Sequence, residues 1–495
     1  MKHIFPGRSF LLVVVAALGY FVDIYDLVLF NVVKRESLEF ILGAGHPDIK
    51  DIGIDLFNIQ MLGMLIGGIL WGVWGDKKGR ITVLFGSILL YSAANIANAF
   101  TFDLTTYAIV RFIAGIGLAG ELGAGITLIT ETLPRDKRGY GTMVVVTFGA
   151  LGAVFAAEVA DKGDWFANLW QGITGNALMN WQVTYLVGGL MGLVLLAMRI
   201  GTFESGLFKN VQHSTVKKGD LLMLFNDRGR FLRYLSCILI GVPVWYVIGV
   251  LVSLSQDVFI PELRIDTSAL DEAGLKRING EAIKYAYIGL SIGDLLSGIL
   301  SQVLRSRKKV IFLYLGANLV LTLIFLFGMQ GATIAAYNWL CLALGLATGY
   351  WVIFVTVASE QFGTNIRSTV ATTTPNFVRG AVLPSPTPSS SSQCRWAISQ
   401  APWWWALSAS VLRSGPPRVC RRPSTGIWIM WRSDKGFSTR AFLTRSLRPP
   451  LQHVELPCAR CPSCLFIRPC WSDRPNVRMG GGAHGSFNTG LRLRH

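Results

Sequence analysis

Ten apolar stretches, each about as long as a bilayer's hydrocarbon core is thick, set the terms on which this chain can fold. They fall near 9–33, 56–74, 82–101, 104–131, 142–160, 183–200, 231–255, 283–304, 309–328 and 332–358, and an eleventh begins near 368. In hydrocarbon every backbone N–H and C=O must find its partner within the protein, so runs of this length fold as helices. Composition agrees: 52% of the 495 residues are hydrophobic, 15% are charged, and the mean hydropathy is +0.46. The first run follows a basic start, MKHIFPGR, as the core of a cleaved leader does. It continues to Val33, however, and carries Asp23 and Asp26, which fits a first membrane helix.

Charge in the loops predicts the topology. Lys77, Lys78 and Arg80 fill one short loop, Arg135, Lys137 and Arg138 a second, and Arg305, Arg307, Lys308 and Lys309 a third. A longer polar stretch, 201–230, carries Lys209, Lys217, Lys218, Arg228 and Arg230. Basic loops stay cytoplasmic, so the alternate loops 34–55, 161–182 and 256–282 face outward and the N-terminus lies inside. The expected fold is an all-α polytopic membrane protein of two pseudo-symmetric six-helix bundles. Residues 1–200 form the first bundle, 201–230 the linker and 231–380 a truncated second bundle. A repeat supports two halves: Gly68-Ile69-Leu70 before one basic turn matches Gly298-Ile299-Leu300 before another, and Glu131 with Arg138 matches Glu360 with Arg367. The plain alternative is that helix–loop junctions resemble one another.

The tail, 381–495, breaks the pattern. It holds thirteen of the nineteen prolines, six of the eight cysteines, and fifteen Arg and one Lys against two Asp and one Glu. Thirteen of the seventeen net positive charges therefore lie there, and a nucleic-acid partner for the body is not expected. No run in the tail reaches the roughly 18 apolar residues of a span, so the last two helices of a second six are missing. One reading is a shifted reading frame near 381–384; the other is a disordered basic tail, against which the Trp and Cys content argues. Cys458, Cys461, Cys464 and Cys470 have part of an iron–sulfur spacing, but the last gap is five residues rather than three, and no metal is expected. Cys237 and Cys341, inside apolar runs, read as packing residues.

Ionisable residues at membrane depth are expensive and mark function by default. Asp23 and Asp26, three apart, share a helix face. Counted along the helix, they lie roughly 15 and 10 Å from the outer end at Val33, and Arg111 lies roughly 10 Å from the outer end of its own helix. These three are expected at one depth, as a pair that gains and loses a proton while the protein changes state, or as a fixed structural ion pair. Glu121, on a face of small residues with Gly117 and Gly125, is a second proton or substrate site. In the second half Tyr287, Ser291 and Asp294 share a face, with Asp294 at mid-membrane. Trp245 and Tyr246 read as packing or interface aromatics, and Asn376 and Arg379 as cavity candidates, Arg379 holding a carboxylate or anchoring a helix end. Glu158 and Asp161 read as solvated. Asp76, Arg80, Glu131, Arg138, Glu360 and Arg367 are expected to form contacts that hold one conformation and break in another.

GDKKGR at 75–80, the RFIAG start at 111–115 and the ETLPRDKRG hinge at 131–139 resemble the major facilitator superfamily. Within it, DIYDLVLF at 23–30 and AGELG at 119–123 resemble the metabolite:proton symporters, with Asp23 where those have Glu and AGE where they have GGE. Sugar porters share the loop motifs and are the nearest alternative. The resemblance covers about 9–380. It implies two six-helix bundles, alternating access to a central cavity, and a monomer. The implied activity is proton-coupled transport of a small polar, organic-acid-like metabolite across the inner membrane. The partners are a small-molecule substrate and the bilayer, the energy source is the proton gradient, and no cofactor or enzymatic activity is expected. The other reading is an inactive remnant of a transporter, left by the lost helices.

Overall fold

The computed structural model describes residues 7–134, 137–175, 177–203, 219–363, 365–381 and 405–410. The chain divides into two compact units, Met1–Asp434 and Lys435–His495, and the second lies outside the described residues. Most of the tail is therefore outside as well, including its four-cysteine run. The described part is a multi-pass membrane protein, with ten helices long and apolar enough to cross a bilayer. They are α1 (Gly7–Leu42), α2 (Ile49–Lys78), α3 (Arg80–Asn98), α4 (Leu104–Thr132), α5 (Arg138–Asp161), α6 (Asn180–Phe203), α7 (Arg228–Val252), α8 (Glu272–Val303), α9 (Arg307–Phe327) and α10 (Ile334–Glu360). A shorter helix, α11 (Arg367–Ala381), follows. Among the described residues there is no strand, only an isolated bridge between Asp266 and Thr333.

Two features depart from the apolar runs. Helix α1 continues to Leu42, past the charged Lys34, Arg35 and Glu36, because an ion pair from Lys34 and packed side chains carry it beyond the hydrocarbon. The stretch read as a loop after α5 contains an amphipathic helix, Gly163–Thr174. Lys162 alone separates it from Asp161, which ends α5.

Helices α1–α6 pack together, α7–α11 pack together, and the two groups meet chiefly along α2 with α11 and α5 with α8. Close crossings are set by glycine, since apolar lipid gives helices no hydrophobic reason to associate and backbone proximity must supply the attraction. A Cβ on Gly63 would run into the Phe112 carbonyl and one on Gly115 into that of Gln60, so α2 and α4 touch backbone to backbone. The same pair recurs 230 residues later: Gly293 abuts the Leu346 carbonyl and Gly345 that of Ala286, joining α8 to α10. The internal repeat is thus a repeat of packing.

Both α4 and α10 break at the corresponding place. Helix runs Leu104–Leu118 and Glu121–Thr132 flank the first break, and Ile334–Thr348 and Trp351–Glu360 flank the second. Helix α4 starts at Asp103, whose carboxylate accepts from the Thr106 N–H at 2.8 Å, a bond that holds its carboxyl below the usual range. Helix α7 contains Pro243, which has no N–H to give, and its next turns widen into π-helix at Tyr246–Val252 and again at Ser255–Phe259. In the described part of the tail, Trp405 lies edge-on to Tyr246 with ring centroids 5.4 Å apart.

Candidate functional site

Helix α1 brings its two aspartates to the middle of the first bundle. Asp23 and Asp26 are fully buried; among the described residues no hydrogen-bond donor reaches Asp23, and the Asn95 side chain lies beside Asp26. Asp26 lies against Gly188 of α6, where a Cβ would strike its Oδ1, and within the field of Arg111. Arg111 is itself buried and is held by aromatics rather than by a carboxylate. It donates to the Tyr185 hydroxyl at 3.0 Å, and its guanidinium sits 5.0 Å from the Phe30 ring and 5.4 Å from that of Tyr185. From Tyr185 a chain of hydroxyls leads through Tyr107, 2.9 Å away, to Ser37 at 3.1 Å.

Asp23 lies apart from that cluster. The charges acting on it are Arg379 of the second bundle, then Glu121 and Arg199 of the first. The sequence places Asp23, Asp26 and Arg111 at one depth; in the structure Arg111 rests on aromatics with Asp26 only within its field, and Asp23 lies within the field of Arg379 of the second bundle. Glu121, the first residue after the α4 break, forms a buried two-pronged ion pair with Arg199 of α6. Arg199 was not legible as a site residue. It stands in the last turns of an apolar run beside a basic linker, where arginines ordinarily reach for the membrane surface. Its only sequence signal is that it lies one residue inside the end of that run, at Ile200.

Between the bundles is a cavity of about 30 Å³, with walls from α1, α5, α7, α8, α10 and α11. By volume it has room for about two waters. Tyr20, Trp245, Tyr287, Asp294, Trp351 and Arg379 line it, with aliphatic side chains between them. Arg379 is 2% exposed, its guanidinium lying 5.6 Å from the Trp245 ring and 5.9 Å from that of Trp351. It donates to the Asn376 Oδ1 at 3.3 Å. Asn376 in turn donates across the interface to the Ala119 carbonyl at 3.0 Å, a group that the α4 break leaves free. Trp351, just past the α10 break, donates to the Tyr20 hydroxyl at 3.1 Å, and Ser291 donates to the Thr147 carbonyl at 2.6 Å. Asp294 has a structural task besides its place in the cavity wall: its Oδ1 accepts from the Val352 N–H at 3.0 Å and so caps the second half of α10. Tyr246 is buried, and Tyr287 is in the wall.

The six residues singled out at the basic end divide into two groups. Asp76 accepts from the Ser368 N–H at 3.1 Å, the Thr369 N–H at 2.8 Å and the Thr369 hydroxyl at 2.7 Å, so a first-bundle carboxylate caps α11 of the second. Arg80 links Asp76 at 3.1 Å to Glu131 at 3.0 Å, and Arg367 approaches Glu131 at 3.8 Å. Glu360, expected to meet the first-half network, pairs with Arg307 within its own bundle. Arg367 opens α11 and leans across to Glu131 instead. Arg138 donates to the Leu133 carbonyl at 3.0 Å and so closes its own hinge.

The opposite end is tied as well. Lys34 pairs with Asp257, Arg277 with Asp161 at 2.8 Å, and Lys284 with Glu158 at 3.2 Å, each pair joining the two bundles. Glu158 and Asp161, read from the sequence as solvated, are interface partners because α8 carries cations at matching depth. Among the described residues, no cluster of His, Cys, Asp or Glu is arranged to hold a metal. Cys237 and Cys341 are buried, as packing residues are.

Known proteins place this arrangement. The niacin transporter NiaP of Acinetobacter baylyi is 34% identical over 135 residues, 27% of this chain and only 28% of that protein. The 3-(3-hydroxy-phenyl)propionate transporter of Escherichia coli is 25% identical over 320 residues, 63% of this chain and 71% of that one. In fold, the xylose transporter XylE from E. coli, in a partially occluded inward open conformation, is similar with a TM-score of 0.55 at 16% identity, over 83% of this chain and 100% of that one. The family profile described as Major Facilitator Superfamily matches residues 16–379, nearly everything the helices occupy. The chain belongs to the Major Facilitator Superfamily, a family of membrane transporters rather than enzymes.

Proposed function

We propose that this protein is a secondary active transporter of the inner membrane, and that it carries a small organic acid together with protons by alternating access. Its cargo on this reading is a flat, ring-bearing carboxylate, as the names of the niacin and hydroxyphenylpropionate carriers suggest. The observation that carries the proposal is Arg379: a buried guanidinium in the cavity wall between two indoles, with the partnerless carboxyl of Asp23 in its field. A guanidinium offers a carboxylate two parallel hydrogen bonds, and the indoles offer a ring two faces. Cargo and Asp23 then compete for one cation. When the cargo's carboxylate takes Arg379, Asp23 loses its largest positive neighbour and binds a proton in compensation. Cargo and proton are thereby taken up together, and the proton gradient is the energy source, without a cofactor.

The remaining site residues have supporting parts. Asp26 and Arg111 form a second ionic centre in the first bundle, Glu121 a third, and Asp294 holds the cavity wall in shape. Asp76, Arg80, Glu131 and Arg367 seal one end, with Arg138 stiffening the adjoining hinge and Glu360 the matching corner of the second bundle. The basic loops put that end, and the N-terminus, in the cytoplasm. The protein acts as a monomer.

The test is uptake by the full chain in proteoliposomes under an inward proton gradient, with nicotinate, benzoate and xylose as alternatives. Concentrative uptake of an aromatic acid is expected. With Asp23→Asn, uphill uptake should vanish while exchange down a cargo gradient persists in part. Undiminished uphill uptake in that variant overturns proton coupling through Asp23, and preference for xylose favours the sugar-porter reading.

A further inference from the structure

Gly19 of α1 stands one turn before Asp23 on the same face. It has no side chain, and none would fit: a Cβ there would collide with the Arg199 guanidinium and with the Glu121 carboxylate. The backbone of α1 therefore rests directly on the Arg199–Glu121 pair, and Asp23 follows within the field of both. Arg199 uses two of its nitrogens on Glu121, and its Nε has no partner among the described residues. Arg199 is 1% exposed and Glu121 2%, so water does not dilute their influence.

We propose that Arg199 is a positioning residue whose one charge is shared between Glu121 and Asp23, and that this sharing sets the pH at which Asp23 binds its proton. The inference rests on the reading of Asp23 as the proton-bearing carboxyl. The two arginines near Asp23 differ in kind. Arg379 belongs to the second bundle and departs when the bundles tilt; Arg199 belongs to the same bundle and stays. Once Arg379 has left or is occupied by cargo, Arg199 is the cation that remains, and Glu121 decides how much of its charge Asp23 feels. The other ionisable groups around Asp23 are Tyr20 and Asp26 on its own helix and Tyr91 on α3. Arg199, Glu121, Tyr91 and Asp26 all belong to the first bundle, so this local balance survives each opening.

The test titrates the full chain in lipid bilayers by infrared difference spectroscopy, reading the C=O stretch of protonated carboxyls. The band absent from Asp23→Asn belongs to Asp23. Glu121→Gln removes an anion and frees Arg199, so the midpoint of that band should fall by about one pH unit; Arg199→Gln should raise it by about as much. The double variant Glu121→Gln/Arg199→Gln, which keeps the packing and removes both charges, should bring it most of the way back. Opposite shifts in the two single variants support the proposal, because general damage to the fold cannot move one band in two directions. Shifts in the same direction, no shift, or no band assignable to Asp23 overturn it. Uptake measured on the same samples keeps the questions separate: absent transport in the unaltered chain defeats the transport reading, while the titration still decides the role of Arg199.

Discussion

The buried guanidiniums show how far identical side chains diverge with their surroundings. Arg111 rests on aromatic faces and a hydroxyl, Arg199 grips a carboxylate, and Arg379 lines the cavity between two indoles. Arg379 lines the cavity between the bundles, which is why the cargo's carboxylate is assigned to it. Lysine cannot reproduce a planar fork or stack between rings. Arg379→Lys should therefore raise the half-saturating concentration for an organic acid about tenfold or more, and uptake at a series of cargo concentrations measures it. At this scale the sequence was partly legible. Asp23, Asp26, Arg111 and Arg379 stood out because charge is rare in apolar runs. Arg199 did not, because a cation near the end of a run looks the same whether it turns outward to water or inward to Glu121. The capping bond of Asp294 was also out of reach, since nothing in an apolar run announces a broken helix for it to cap.

Among the helices, existence and order were readable from hydrophobic length alone, while bends and breaks were not. The small-residue face at Gly117 and Glu121 reads as packing surface, yet α4 breaks there, and α10 breaks at the matching Gly349-Tyr350, which carries no such signal. The end of α1 was misjudged for a related reason: length was measured by apolarity, and Lys34 continues the helix by pairing with Asp257. The glycine spacing at Gly117 and Gly125 did not mark the crossings: Gly117 packs on Tyr91, Gly125 has nothing within 4 Å, and the backbone contacts fall at Gly63, Gly115, Gly293 and Gly345. Their worth can be measured. Gly345→Val would drive methyl groups into the Ala286 backbone, which cannot yield as a side-chain tip can. Overpacking of this kind costs about 3 kcal/mol, at the upper end for cores, and should lower the thermal unfolding midpoint in detergent by several degrees. Gly316→Val, at a position with nothing within 4 Å of the added Cβ, should leave it nearly unchanged.

For the molecule as a whole, the two bundles are tied at both ends and around a central cavity of about 30 Å³. On the proposed alternating-access reading, opening toward either side breaks one set of ties and keeps the other. The basic end depends on Asp76, whose three bonds to the start of α11 are the most concentrated link across that interface. A hydrogen bond to a charged group contributes about 1.5–3 kcal/mol, so Asp76→Asn should speed amide hydrogen exchange at Ser368 and Thr369 by about tenfold to a hundredfold. Unaltered exchange there would show that the seal lies elsewhere. The paired halves were legible from the repeat, but the partner of Glu360 was not: a repeat fixes equivalent positions in the two halves and does not say which charges of one half meet each other.

The matched breaks have a consequence for the division of labour. Glu121 and Trp351 occupy the same place in the two copies, each just past the fracture in its helix and 230 residues apart. At this shared place one copy carries charge and the other an aromatic ring. The first copy now holds Asp23, Asp26, Arg111 and Arg199, and the second supplies Trp245, Tyr287 and Arg379 to the cavity. On the proposed reading, changes at Trp245 or Tyr287 alter which compound is accepted while the buried charges of the first half stay in place.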